Sequence, residues 1–122
     1  MPAIPPFVLK KLYVKGSLRT EDDGFALDLK NVIAPGTITA FTGLDLDGQA
    51  IAPAQVTLVP SSGNPRSMGE ISAQAPLLFP VSAPVTLRVA GKTLEPGPHE
   101  LVIHVVVQEV GPLGIPVSDT LV

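Results

Sequence analysis

The chain has 122 residues, 45% of them apolar, and carries 8 lysines and arginines against 11 aspartates and glutamates, for a net charge of −3. Such a chain is one domain of ordinary size with enough apolar material for a core, which excludes intrinsic disorder. It has no cysteine, so disulfides and thiolate metal sites are excluded, and its acidic balance argues against nucleic acid, which is bound by basic stripes.

The first residues, 1–8, form an apolar arm in which Ile4, Phe7 and Val8 are candidate contacts. Early prolines and the lack of a long apolar segment give no sign of a secretion signal, so the expected setting is the cytoplasm. Next, Leu12, Val14, Gly16 and Leu18 alternate with Tyr13, Lys15, Ser17 and Arg19, the period of a strand. Gly16 is expected to mark a bulge or a close approach of backbones. The only local basic group, Lys10, Lys11, Lys15 and Arg19, fits the wet side of such a strand.

Residues 20–24, "TEDDG", read as a four- or five-residue hairpin loop with Gly24 free to take positive φ. Phe25, Leu27 and Leu29 then alternate with Ala26, Asp28 and Lys30. "LDLDGQAI" holds an Asp47-Gly48 pair, the signal of a tight type I′ turn, with Leu44 and Leu46 facing inward and Asp45 and Asp47 facing water. Further strands are expected at "AQVTLV", with Val56 and Leu58 inside, at "APLLF", and at "PVTLRVAG", with Val85, Leu87 and Val89 inside. Between them residues 60–70 read as a mobile surface loop. A long strand over 99–108 follows the turn "LEPGPHE". A short last strand around 113–117 is broken by Pro116, which suits an edge.

The 14 prolines and 11 glycines leave only residues 25–34 and 99–110 as uninterrupted runs of ten or more. Helix has almost no room. The prediction is an all-β antiparallel β-sandwich of about 7–9 short strands, immunoglobulin-like or jelly-roll-like, in a single domain spanning 1–122.

Chemistry is sparse. His99 and His104 lie five apart, so a regular strand aims them at opposite faces and they cannot share a metal. His99 is expected to close a turn and His104 to sit on a partly covered face. Asp45 and Asp47 would lie roughly 6–7 Å apart on one outward face, a spacing that can serve paired carboxylates. Ser118-Asp119 lacks a nucleophile elbow, Glu21, Asp22 and Asp23 lack the remaining oxygens of a calcium loop, and the glycine patterns that cradle nucleotides are missing. No cofactor, metal or catalytic residue is assigned.

The run Leu101–Val107 is apolar on both faces. Leu101, Ile103, Val105 and Val107 form one; Val102 and Val106, with His104 between them, form the other. A sandwich strand needs one apolar face only. The surplus is expected to be covered by an intrachain flap such as "GPLGIPV" or by another chain, which makes Val102, His104, Val106, Ile4, Phe7 and Val8 the candidate interface. The partner would be a second copy or a larger protein subunit, without nucleic acid or membrane.

Two segments, "LDLDGQAIAP" (44–53) and "LEPGPHELVIHVVVQ" (94–108), resemble the small β-subunit of bacterial C-glycoside deglycosidases. The resemblance implies a sandwich that accompanies a metal-dependent catalytic subunit, and hence a carbohydrate context. It covers about a fifth of the chain, carries over no catalytic residue, and leaves 54–93 unmatched. The pattern is also similar to short chains named for hydroxymethylglutaryl-CoA reductase, an activity that the length and the missing nucleotide motif argue against. Three functions therefore compete: a non-catalytic accessory subunit, a stand-alone binding module using loops 20–24 and 60–70, and a small enzyme using Asp45 with Asp47 or His104 with Asp119.

Overall fold

The computed structural model describes residues 5–60 and 63–121. Among these run ten strands: β1 (Arg19–Glu21), β2 (Gly24–Lys30), β3 (Gly36–Leu46), β4 (Gln49–Ile51), β5 (Val56–Pro60), β6 (Arg66–Ser67), β7 (Leu77–Phe79), β8 (Pro84–Val89), β9 (Gly97–Val107) and β10 (Gly111–Leu121). They form two antiparallel sheets. Sheet I has the order β1-β2-β8-β5-β6, and sheet II has the order β10-β9-β3-β4 with β7 also paired to β3. The all-β expectation holds, and none of the described helices is long and apolar enough to cross a membrane.

Alternation builds the core. Phe25, Leu27 and Leu29 of β2, Val85, Leu87 and Val89 of β8, and Val56 and Leu58 of β5 pack against Phe41, Leu44 and Leu46 of β3, Leu101, Ile103 and Val105 of β9, and Ile115 and Val117 of β10. All are buried, and each removes about 1.5–3 kcal/mol of apolar side chain from water. The inward positions of β2, β5, β8 and β9, with Leu44 and Leu46 of β3, match the alternation read from the sequence.

The N-terminal quarter differs from expectation. No strand runs from Leu12 to Leu18; instead a short helix, Pro6–Leu9, continues as a 3-10 turn, Lys10–Leu12. Pro5 and Pro6 suit a helix start, where an amide proton is not needed, and the Pro5 carbonyl accepts from Val8 and Leu9. Leu9 and Leu12 close the core. Beyond them the chain turns at Gly16, whose φ of 85° and open surroundings make it a turn glycine rather than a bulge. The Ser17 hydroxyl accepts from the Asp28 amide at 3.0 Å and donates to the Val14 carbonyl at 2.6 Å, standing in for a backbone ladder along β2.

The β1–β2 hairpin is tighter than expected. Glu21 pairs with Gly24, leaving a two-residue turn in which Asp22, not Gly24, takes positive φ. Gly24 is needed for another reason: a Cβ there would overlap the Val89 carbonyl oxygen. The Asp47-Gly48 turn has the expected form, with φ of 50° and 85°.

Of residues 60–70, positions 61 and 62 lie outside the described residues, and the rest are not a plain loop either. β6 pairs to β5, and the turn Met68–Glu70 buries Met68 completely. The Arg66 guanidinium holds this segment by donating to the carbonyls of Glu70, Ala75 and Pro76, and the Ser67 amide donates to Glu70 Oε1 at 3.2 Å.

β10 is an edge strand, as Pro116 suggested, but eleven residues long. It pairs with β9 in one unbroken register from Gly111–Val107 to Leu121–Gly97. The segment "GPLGIPV" therefore lies beside β9 and is not a flap across it. Pro112 and Pro116 cannot donate, so their pairs are the non-hydrogen-bonded ones and their nitrogens face the free edge. That edge is blunted, and the other edge strands, β1, β4, β6 and β7, are two or three residues long.

Gly24→Ala is expected to destabilise the domain by about 3 kcal/mol because backbone must move, whereas Gly69→Ala, with open space around its Cβ, should stay within about 0.5 kcal/mol. Urea unfolding of the two variants checks this.

Candidate functional site on the outer face of sheet II

The two outer faces of the sandwich differ in kind. On sheet I, Arg19 Nε meets Glu21 Oε2 at 2.9 Å, Arg88 Nε meets Glu21 Oε1 at 3.1 Å, and Arg19 Nη1 meets Asp28 Oδ2 at 3.3 Å. The Thr86 hydroxyl donates to Asp28 Oδ1 at 2.7 Å. Ala26, flanked in register by Arg19 and Arg88, is wholly covered by their stems. This face is a charged, internally satisfied lattice.

Sheet II presents the opposite. The period of two that sends Leu101, Ile103 and Val105 inward sends Val102, His104 and Val106 outward, all three partly exposed. Their register partners are Pro116, Gly114 and Pro112 on β10, and Asp45, Gly43 and Ala40 on β3, all small or apolar except the carboxylate of Asp45. Leu78 of β7, 67% exposed, extends the same face beyond β3. Pro112, Gly114, Pro116 and Leu78 were missed from the sequence. The signal was present, since 112, 114 and 116 share one parity in "GPLGIP".

His104 lies in register between Gly43 and Gly114, and a Cβ at Gly43 would stand 3.6 Å from His104 Cδ2, an ordinary contact distance. Its Nε2 meets Asp45 Oδ2 at 2.9 Å, with both side chains about two-fifths exposed. His104 thus pairs with Asp45, not with Asp119. Asp119 is committed elsewhere: it accepts from the Tyr13 hydroxyl at 2.6 Å and the Gly16 amide at 2.7 Å through Oδ2, and from the Thr120 amide at 2.8 Å through Oδ1. These bonds, the Tyr13 one first, hold the Asp119 carboxyl below its ordinary range. Burial, then the bond to Asp119, pushes the Tyr13 hydroxyl up.

Asp45 and Asp47 do not act together. The positive φ of Asp47 turns it off the strand's outward row, toward His99 Nδ1 at 2.8 Å and the Glu100 amide, also at 2.8 Å. The two carboxylates serve two histidines on opposite faces, so the paired-carboxylate arrangement is not assembled. His99 closes a turn, as expected. Among the described residues no three His, Asp or Glu side chains converge as metal ligands would.

Of the N-terminal candidates, Phe7 is 68% exposed and Val8 partly so, while Ile4 lies outside the described residues. Leu9 and Leu12 help line a cavity of about 140 Å³ at the end of the sandwich, with Ile33, Pro35, Phe79 and Val110 among its other walls. The two polar side chains on its wall are already engaged. Asn31 donates to the carbonyls of Ala34 and Phe79 and accepts from the Ile33 amide, and Glu109 accepts from the Thr37 amide and hydroxyl. The Thr37 amide is the main reason the Glu109 carboxyl sits low.

Fold and surface together define a β-sandwich domain with one outer face knitted by ion pairs and another on which Val102, Val106, Pro112, Pro116 and Leu78 accompany the His104–Asp45 pair. Within that class, the chain belongs to the family described as hydroxymethylglutaryl-CoA reductase, N-terminal domain, whose model matches residues 8–122. No curated protein matches the chain. The deglycosidase resemblance of residues 44–53 and 94–108 gains no support from the family match.

The Asp119 network sets an acid limit. Its carboxyl is lowered in the fold, so its stabilisation is present above the unfolded value, about 3.9, and is lost as pH falls through the lower folded value. Asp119→Asn should lower the melting temperature at neutral pH and flatten its decline below about pH 4. Thermal melts followed by circular dichroism check this.

Proposed function

We propose that this domain is a non-catalytic accessory module that packs on a larger protein partner through the outer face of sheet II. The observation that carries this reading is the contrast between the two outer faces. Sheet I satisfies its charges internally, whereas sheet II sets Val102, Val106, Pro112, Pro116 and Leu78 toward solvent around the single His104–Asp45 pair. Apolar side chains gathered on one sheet face favour protein–protein contact. Blunted edges on both sheets favour docking by face over strand addition. The family description, which names the N-terminal domain of an enzyme, supports a role beside a catalytic portion rather than in it. A chain without cysteine also suits the reducing cytoplasm.

Val102→Asp is expected to release the partner while the domain stays folded, read by light scattering of the complex purified from its native source. Leu78→Asp, at an open site, should weaken the same complex without any cost to folding. Full assembly by both folded variants would refute the reading. A complex of uniform copies, dispersed by the same changes, would identify the partner as the chain itself.

A second reading is favoured by the end cavity. A binding module would take an uncharged apolar molecule there, in place of loops 20–24 and 60–70, because the polar wall groups are engaged. A cavity of about 150 Å³ with apolar walls admits benzene. Benzene titration should then shift the methyl signals of Leu9, Ile38 and Leu113, and Val110→Phe should abolish the shifts. Unchanged spectra at saturating benzene would dismiss this reading.

A further inference from the structure

His99 sits where three segments meet at the end of the sandwich opposite the Val107–Gly111 turn. Its Nδ1 faces Asp47 Oδ2 at 2.8 Å, from the β3–β4 turn, and its Nε2 faces the Glu95 carbonyl oxygen at 2.7 Å, from the loop before β9. Neither partner can donate: a carbonyl has no proton, and Asp47 is ionised because the Glu100 amide, then His99, stabilise its charge. A neutral imidazole has one N–H and one lone pair, so it would set a lone pair against an acceptor on one side or the other. Only the imidazolium satisfies both contacts.

We propose that His99 is a pH-sensitive latch, in which the doubly protonated ring ties the Asp47–Gly48 turn and the loop at Glu95 to the start of β9, and loss of one ring proton frees the loop. The latch has leverage because its two anchors are held differently. Asp47 Oδ1 accepts from the Glu100 amide at 2.8 Å, and the Asp47 amide donates to the Glu100 carbonyl at 2.7 Å, so the turn is fastened to β9 independently of the ring. Glu95, by contrast, lies two residues before β9 begins at Gly97, and among the described residues its backbone makes no hydrogen bond other than the one to His99. The loop is therefore the part that lets go. Leu94, packed against the core, goes with it and uncovers the Leu46 end of the interior.

The surrounding charges favour the proton. Asp47 and Glu95 lie beside the ring, with Lys92 of the loop on the far side of Asp47 as the opposing charge. Glu100 follows on the same strand, and Asp119 of β10, the register partner of His99, shares a surface hollow with it, as does Lys15. The bond to the Glu95 carbonyl, then that to Asp47, raises the ring's affinity for its proton above the ordinary value of 6.5. The stabilisation is accordingly complete below that value and is lost as pH rises through the higher folded one.

Nitrogen NMR of the two imidazoles between about pH 5 and pH 9 tests this, with the methyl signals of Leu94, which packs against the core, as the readout of loop release and amide exchange at Glu100 as the control. The expected result is a His99 ring protonated at both nitrogens at neutral pH. The Leu94 methyl signals should move toward those of an exposed leucine across its titration, while exchange at Glu100, corrected for base catalysis, changes little. Asp47→Asn keeps the turn, since Asn-Gly suits two positive φ values, and should bring the His99 titration part of the way back toward the ordinary value, the Glu95 bond being retained. In His99→Gln the Leu94 signals should be flat with pH. A His99 ring carrying one proton at pH 6.5, or Leu94 signals that respond to pH equally in His99→Gln, would overturn the proposal.

Discussion

Everything in this domain follows from the parity of β9. Paired along its whole length with β10 on one side and from Leu101 to Val107 with β3 on the other, the strand cannot slip, because a shift of one residue would drive Leu101, Ile103 and Val105 out of the core. The same constraint commits Val102, His104 and Val106 to the outside. Burial of the first three decides the contest, each contributing on the order of 2 kcal/mol, and the outward valines are then a property that the fold tolerates rather than requires. Two register shifts in β3, between Ile38 and Ala40 and between Phe41 and Gly43, keep Phe41 and Leu44 both inward against this fixed strand.

The neighbours of β9 are shaped around that outward row. Gly43 and Gly114 flank His104 in register without side chains of their own, and Pro112 and Pro116 contribute apolar rings while removing amide protons from the free edge. The surface that results is low, apolar and poor in backbone donors. It is suited to lie flat on another protein. Sheet I, with its arginine stems over Ala26 and its carboxylates paired, is suited to face water.

Much of this was legible in the residues. Strict alternation placed the inward side chains of β2, β5, β8 and β9 correctly, and Asp47-Gly48 announced its turn. What failed did so for identifiable reasons. Leu12 and Leu18 both point inward, but across a turn at Gly16, so their even spacing imitated a strand. Residues 60–70 look polar and loose, yet one buried methionine and one guanidinium fanned over three carbonyls hold most of that segment; neither contact is local enough to be read in advance. Asp45 and Asp47 share parity but not direction, because positive φ at the turn reorients the second. The pairing of His104 with Asp45 depends on which strands are neighbours, and alternation does not reveal that.

The central claim is that sheet II, and not sheet I, is the docking face. Hydroxyl-radical footprinting of the free domain against the assembly isolated from its native source tests it most directly. The account predicts that Leu78, Val106, Pro112 and Pro116 lose reactivity on assembly while Arg19, Lys30 and Arg88 keep theirs. Protection of the sheet I residues, with the sheet II row left as reactive as in the free domain, would contradict it.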